Sequence, residues 1–197
     1  MYFYTNIHNI IMAGLKFRVL LDSKESTEIF RDVIIPDSAT FSDLYKISIE
    51  SFGFKGDQMA SFYMSNDEWD KGQEITLEDM SFGDEENSTP IMDKATVSEF
   101  IEAPDQKIIL VYDFIKMWIF LLELVAYEKE TPSQPIIALT VGDAPKENSR
   151  SGDDNDAMFA GEFEEFGEDE DDEFGFDDFD DDYNEEDYSS FNEFDDY

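Results

Sequence analysis

The chain has 197 residues, with 13 Lys and Arg against 50 Asp and Glu, and a formal net charge of −37. That field repels phosphate backbones and anionic lipid heads, so neither duplex nucleic acid nor a membrane surface is expected as a direct partner. With no Cys and one His, His8, disulfides, thiolate nucleophiles, cysteine-held metals and histidine-based triads are excluded, which leaves carboxylate or lysine chemistry for any catalysis.

The leader Met1–Ile11 is apolar, but no Lys or Arg precedes its hydrophobic run and no small-residue cleavage site follows it, so it does not read as a secretory signal. Met12, directly before a strand, is the more natural start, and residues 1–11 read as a start-site artefact. From Lys16 to Leu21 the pattern alternates at period two, which puts Phe17, Val19 and Leu21 on one face of a half-buried strand. A second strand over Ile29–Ile35 follows a short polar connection and stops at Pro36, as in an antiparallel hairpin.

Thr40 and Asp43 then match a capping box. The helix that follows carries Phe41, Leu44, Tyr45, Ser48 and Phe52 on one face, and Gly53 is placed to leave it left-handed. Met59–Met64 and Glu74–Leu77 read as short strands around a turn at 65–72, in which Asp67, Glu68 and Asp70 read as a solvated turn, not an acid pair. The acidic segment Ser81–Pro90 reads as a loop. Thr96 and Glu99 repeat the capping-box pattern for a short helix ended by Pro104.

The apolar run Ile108–Ala126 is long enough to span a bilayer, but Asp113, Lys116 and Glu123 would each cost about 2.5–3.5 kcal/mol near its centre. Its β-branched and aromatic content fits a buried β-hairpin instead, with strands at Lys107–Phe114 and Trp118–Tyr127. Asp113 and Glu123 either face one another across that hairpin or lie with Lys116 on its exposed face, the second being preferred. Ile136–Val141 is the last strand. The expectation is an α+β fold: a mixed, mostly antiparallel sheet with helices on one face and a β-grasp-like core over residues 12–147, plus a disordered acidic C-terminal tail over 148–197.

The composition breaks at Arg150, the last basic residue: residues 1–150 carry formal charge −14 and residues 151–197 carry −23, with no base. Aromatic rings are spaced through those acids without Leu, Ile or Val, too little apolar area to offset chain entropy and self-repulsion. Acidic-aromatic interleaving suits docking on basic, apolar-grooved partners, which makes Phe163, Phe166, Phe174, Phe176, Phe179 and Tyr183 the candidate partner-binding residues. No phosphate-binding loop or paired-His motif occurs, and an EF-hand register from Asp153 fails at Ala157 and Met158. No catalytic, cofactor or metal residue is assigned.

Residues 37–44, Phe52-Gly53-Phe54, Phe62, Tyr112-Asp113-Phe114 and Trp118, with Gly142-Asp143-Ala144-Pro145-Lys146, resemble the Ri-plasmid ORF-three-like family in its acidic-tailed form, whose members also carry transposon-passenger, resolvase-type labels. The resemblance spans roughly residues 14–147. In many members it implies histidines after the leucine of the first helix, before the following strand, and at the end of a Tyr-Asp-Phe-Gly-Asp-x-Trp-x-His pattern. Here those places hold Tyr45, Gln58-Met59-Ala60 and Phe120. The reading is a cytoplasmic, non-enzymatic interaction module whose tail binds a basic protein. Its alternative is a mobile-element DNA-processing factor or enzyme, which a basic face or a convergent pocket with perturbed pKa values would favour.

Overall fold

The period-two pattern of the first strand places Leu15, Phe17, Val19 and Leu21 in the core of a computed structural model that describes residues 14–23, 28–79 and 89–150. The strands are β1 (Gly14–Leu21), β2 (Phe30–Pro36), β3 (Ala60–Ser65), β4 (Lys71–Thr76), β5 (Lys107–Tyr112), β6 (Trp118–Glu128) and β7 (Ile136–Val141). They form one sheet in the order β4-β3-β5-β6-β1-β2-β7, and every ladder between them is antiparallel. The expected mixed, β-grasp-like sheet with helices on one face is therefore met in its antiparallel majority, while among the described residues the sheet dominates and one α-helix accompanies it. The run Ile108–Ala126 is the β5–β6 hairpin, with Lys107 opposite Glu123 and Tyr112 opposite Trp118. Among the described residues no helix is long and apolar enough to cross a membrane.

The helix α1 (Phe41–Ser51) starts as its sequence dictates. Asp43 N donates to Thr40 Oγ1 at 3.3 Å, and Thr40 N donates to Asp43 Oδ2 at 3.1 Å, so two amides of the first turn are satisfied. Phe41, Leu44, Tyr45, Ser48 and Ile49 are buried, and Gly53 takes φ +75 just beyond the end. The second capping pattern does not make an α-helix. Val97–Phe100 is a 3-10 turn without a side-chain cap, because Val97 N donates to Ala39 O and Phe41 N to Ala95 O, both at 2.9 Å. The backbone around Thr96 is thus committed to the start of α1, and Pro104 leaves no length for a longer helix. The turn at 65–72 is organised by Asn66, whose Oδ1 accepts from the amides of Glu68 and Asp70 at 3.0 Å each. Most of the expected loop Ser81–Pro90, the leader and the tail lie outside the described residues.

Across the face of the sheet away from α1 runs a row of alternating charge set by strand register: Lys107, Glu123, Arg18 and Asp32, one per strand from β5 to β2. Its strongest member is a two-pronged pair, Arg18 Nε to Asp32 Oδ1 at 2.8 Å and Nη2 to Oδ2 at 3.1 Å. Arg18 also lies over the Phe30 ring at 4.4 Å. Glu123 belongs to this row and does not face Asp113. Nor is Asp113 on an exposed face: it is buried in the β5–β6 turn at φ +56, where its Oδ1 accepts from the amides of Ile115 and Lys116. The expected partnership with Lys116 holds at 3.2 Å. The carboxylate is spent on shaping the turn, which draws it inward.

One buried arginine joins the layers. Arg31 donates to the carbonyls of Ser51 at the end of α1, of Phe30 in β2, and of Val141 and Gly142 at the end of β7, and it stacks over Phe52 at 4.5 Å. Burial lowers its pKa from the ordinary value, and Asp143 counters that effect. Gly142 (φ +74) is required beside it, because a Cβ would come within 2.9 Å of Glu28 O.

Two outcomes are expected. Leu44 is fully buried, so Leu44→Ala loses about 2–5 kcal/mol in a urea melt. The hydrogen bonds from Arg18 hold the Asp32 carboxyl below its ordinary value of 3.8, so its contribution is complete above that pH and is lost as pH falls through the depressed value. Asp32→Asn should flatten the acid limb of the stability curve in that range while leaving the alkaline limb unchanged.

Candidate functional site

Polar side chains converge most densely where three segments meet: the loop leaving α1, the β5–β6 turn, and the stretch from Ala144 to Arg150. Phe54 turns inward and packs edge-on against Trp118 at 4.9 Å and Phe120 at 5.8 Å, with Tyr112 at 6.1 Å. The Tyr112 hydroxyl donates to Glu147 Oε1 at 2.5 Å and accepts from Gly56 N at 3.1 Å, and Asp57 Oδ1 lies 3.4 Å away. Glu147 Oε2 accepts from Lys55 N, and its main-chain carbonyl accepts from the Trp118 indole at 3.2 Å. Lys116 donates to Asn148 Oδ1, and Arg150 donates to Met117 O at 2.6 Å while lying over Trp118.

The electrostatics of this cluster favour a clamp over a catalyst. Burial and the neighbouring Glu147 push the Tyr112 phenol well above its ordinary range, so it stays a hydrogen-bond donor. Burial, with Asp57 and Glu147 nearby, pushes Tyr45 up to about 12. Its hydroxyl and that of Ser48 are buried without a hydrogen-bond partner. The Gln58 amide holds the exposed Asp57 below the usual carboxylate range. A proton-transfer site at neutral pH needs groups tuned toward neutrality, and these shifts run the other way. Among the described residues no group of three or more His, Cys, Asp or Glu side chains could hold a metal ion.

The three places where the resemblance implies histidine lie around this cluster. Tyr45 lies 6.4 Å from the Tyr112 ring, Gln58 bonds Asp57 beside the Tyr112 hydroxyl, and Phe120 packs on Phe54. Aromatic rings at Tyr45 and Phe120 and an amide at Gln58 stand where the resemblance implies imidazoles.

A polar groove of about 510 Å³ opens on the β3–β4 side, between the turn at Asn66–Lys71 and Glu99, Phe100 and Glu102. Much of its lining is already committed: Gln106 Nε2 donates to Ser65 O and Lys107 O, and Asn66 Nδ2 to Asp70 Oδ2. At the opposite end of the sheet, β7 exposes Ile136, Ile137 and Leu139 by 42%, 46% and 43%. Its strand character was legible in the sequence, its exposure was not. An uncharged run such as Ile136–Val141 carries no sign of which faces are covered, and only the topology places it at an edge.

The candidate partner-binding residues Phe163, Phe166, Phe174, Phe176, Phe179 and Tyr183 lie outside the described residues. The clamp was also missed in the sequence, because Glu147 reads as one acid among many and gains its meaning only when β5 and β6 bring Tyr112 and Trp118 beside it.

Replacing Tyr112 with Phe leaves Glu147 and Gly56 N without their shared partner. Tyr112→Phe is expected to lose about 1–3 kcal/mol of stability and to speed hydrogen exchange at the Trp118 indole. Because the phenol titrates above its ordinary 10.0, the wild-type bond is complete below that pH and is lost only as pH rises past the raised value.

Among solved structures, a protein of unknown function from Methanosarcina mazei Go1 is similar in fold, with a TM-score of 0.57 and 20% identity over 71% of this chain and 76% of that one. No curated protein matches the chain. The family model described as plasmid pRiA4b ORF-3-like protein matches residues 13–194, well over half of the sequence and most of the acidic tail with it. The chain therefore belongs to the plasmid pRiA4b ORF-3-like protein family.

Proposed function

We propose that the protein is a cytoplasmic, non-enzymatic interaction module whose acidic, aromatic tail recruits basic proteins. The observation that carries this reading is the composition of residues 151–197, with 23 acids, no base and rings spaced through them. Charge of one sign speeds encounter with cationic surfaces and is screened by salt, and interleaved rings add apolar contact that a plain polyanion lacks. The body supports the reading indirectly. Its polar cluster around Tyr112 is engaged in internal hydrogen bonds, and burial raises the Tyr45 and Tyr112 phenols away from acid-base work at neutral pH.

The test replaces Phe174, Phe176 and Phe179 together with Ser in the full chain, which keeps every acid. An amphipathic lysine–leucine peptide should then bind more weakly, by up to about 1.5–3 kcal/mol for each ring that docks fully. Oligolysine of equal charge should bind both proteins alike. Equal affinity of the amphipathic peptide for both would reduce the tail to a polyanion, and tight, salt-sensitive binding of duplex DNA would overturn the reading.

A further inference from the structure

The two edges of the sheet are built differently. At one end β4 has the sequence Lys-Gly-Gln-Glu-Ile-Thr, with a charged or polar side chain at most positions and the Lys71 ammonium over the Tyr63 ring at 5.5 Å. That is how sheet edges are ordinarily blunted against pairing with another chain. At the other end β7 has the sequence Ile-Ile-Ala-Leu-Thr-Val, with no charge, and it pairs with β2 alone among the described strands. Its large side chains are exposed on both faces: Ile137 on the side of Val33, and Ile136 and Leu139 on the side of Ile34 and Asp32. Only a register shift opposite Asp32 and Val33 interrupts it.

The edge is also held in place. The ladder to β2 fixes one side, and Arg31 grips the carbonyls of Val141 and Gly142 at its end. A strand whose outer amides and carbonyls are already ordered loses little further entropy when another strand pairs with it.

The charge around it selects the occupant. Glu128 and Glu130, with Lys129 between them, precede β7, Asp143 follows it with Lys146 three residues on, and the 23 acids of residues 151–197 come soon after in a chain whose residues 1–150 already carry formal charge −14. A second copy would bring together two chains of formal charge −37 each, whereas a segment carrying Lys or Arg beside its apolar residues would be attracted.

We infer that the outer edge of β7 receives an extended, apolar segment of a basic partner by strand addition, main chain to main chain, with Ile136, Ile137 and Leu139 contacting its side chains. This deepens the proposed function and rests on it, because the tail and the edge would meet the same basic protein, the first binding event raising the effective concentration for the second.

The probe is a ten-residue peptide with a Val- and Thr-rich centre flanked by lysines, and its control is the same peptide with alternate backbone amides N-methylated. Charge and side chains match, so the tail attracts both, and only strand pairing distinguishes them. Full-length protein should prefer the unmethylated peptide by about tenfold or more, a difference of about 1.4 kcal/mol or more, and that peptide should slow amide exchange across Ile136–Val141. The variant Ile136→Ser with Leu139→Ser, altered at half-exposed positions and checked by its melt, should lose the preference. The variant with Phe174, Phe176 and Phe179 changed to Ser should keep the preference while binding both peptides more weakly. Equal binding of the two peptides by the wild type, or a preference that survives in the β7 variant, would overturn the inference and leave the tail reading standing. A tail variant that binds both peptides as the wild type does would sink the tail reading and leave the edge intact. Concentration-dependent dimers in sedimentation that the β7 variant abolishes would assign the edge to a second copy and overturn the basic partner.

Discussion

A buried guanidinium holds the architecture together. Arg31 takes carbonyls from the end of α1, from β2 and from the end of β7, and it lies over Phe52, which in turn packs against Phe120 on β6. These carbonyls sit where a helix ends and a strand ends, where backbone acceptors lack partners of their own. A planar donor with fixed geometry can satisfy several of them at once, and a lysine ammonium could not span the same arc. The end of the helix, β2 and the end of β7 are therefore tied together by one side chain, and the charge it brings inside meets main-chain carbonyls more than a paired acid.

Much of the fold was legible because its local signals agree with its packing. Phe17, Val19 and Leu21 alternate as a strand should, Thr40 and Asp43 cap as a helix should, and Phe41, Leu44, Phe52, Leu110, Tyr112 and Leu122 all meet in one core. The misreadings share a cause: tertiary partners took up groups that the sequence left free. Thr96 carries the same motif as Thr40, yet its neighbours' amides and carbonyls are bound to the start of α1. Asp113 looked like a surface acid and became the internal brace of a turn, because its neighbours' amides needed an acceptor there. Ile136–Val141 read as the last strand and is one, but its place at the edge was not legible, since nothing in six residues records how many strands lie to either side.

The candidate site was less legible than the fold. Tyr112, Trp118 and Glu147 are separated along the chain and none belongs to a recognised chemical motif, so their meeting depends on the register of β5 with β6. Their chemistry is uniform: each polar group is either satisfied locally or pushed toward its inert form. Most aromatic rings among the body's described residues are consumed in packing, with Phe54 by itself touching Tyr112, Trp118 and Phe120, whereas those of residues 151–197 are interleaved with acids in the sequence. The same residue type thus serves two physical purposes on either side of Arg150.

The way the stretch Glu147–Arg150 is fastened has a mechanical consequence. Residue 151 follows Arg150 covalently, so a load applied to the acidic segment reaches the body at a place where Arg150 grips Met117 O, Lys116 grips Asn148, and Trp118 and Tyr112 grip Glu147. These anchors all sit on β5, β6 or the turn between them, and a load from residue 151 meets them in order, at Arg150, Asn148 and then Glu147. A pull on the tail is thereby delivered to the middle of the sheet, with β3 and β4 outside β5 and β1, β2 and β7 outside β6, and the last strand, β7, is spared from serving as the tether.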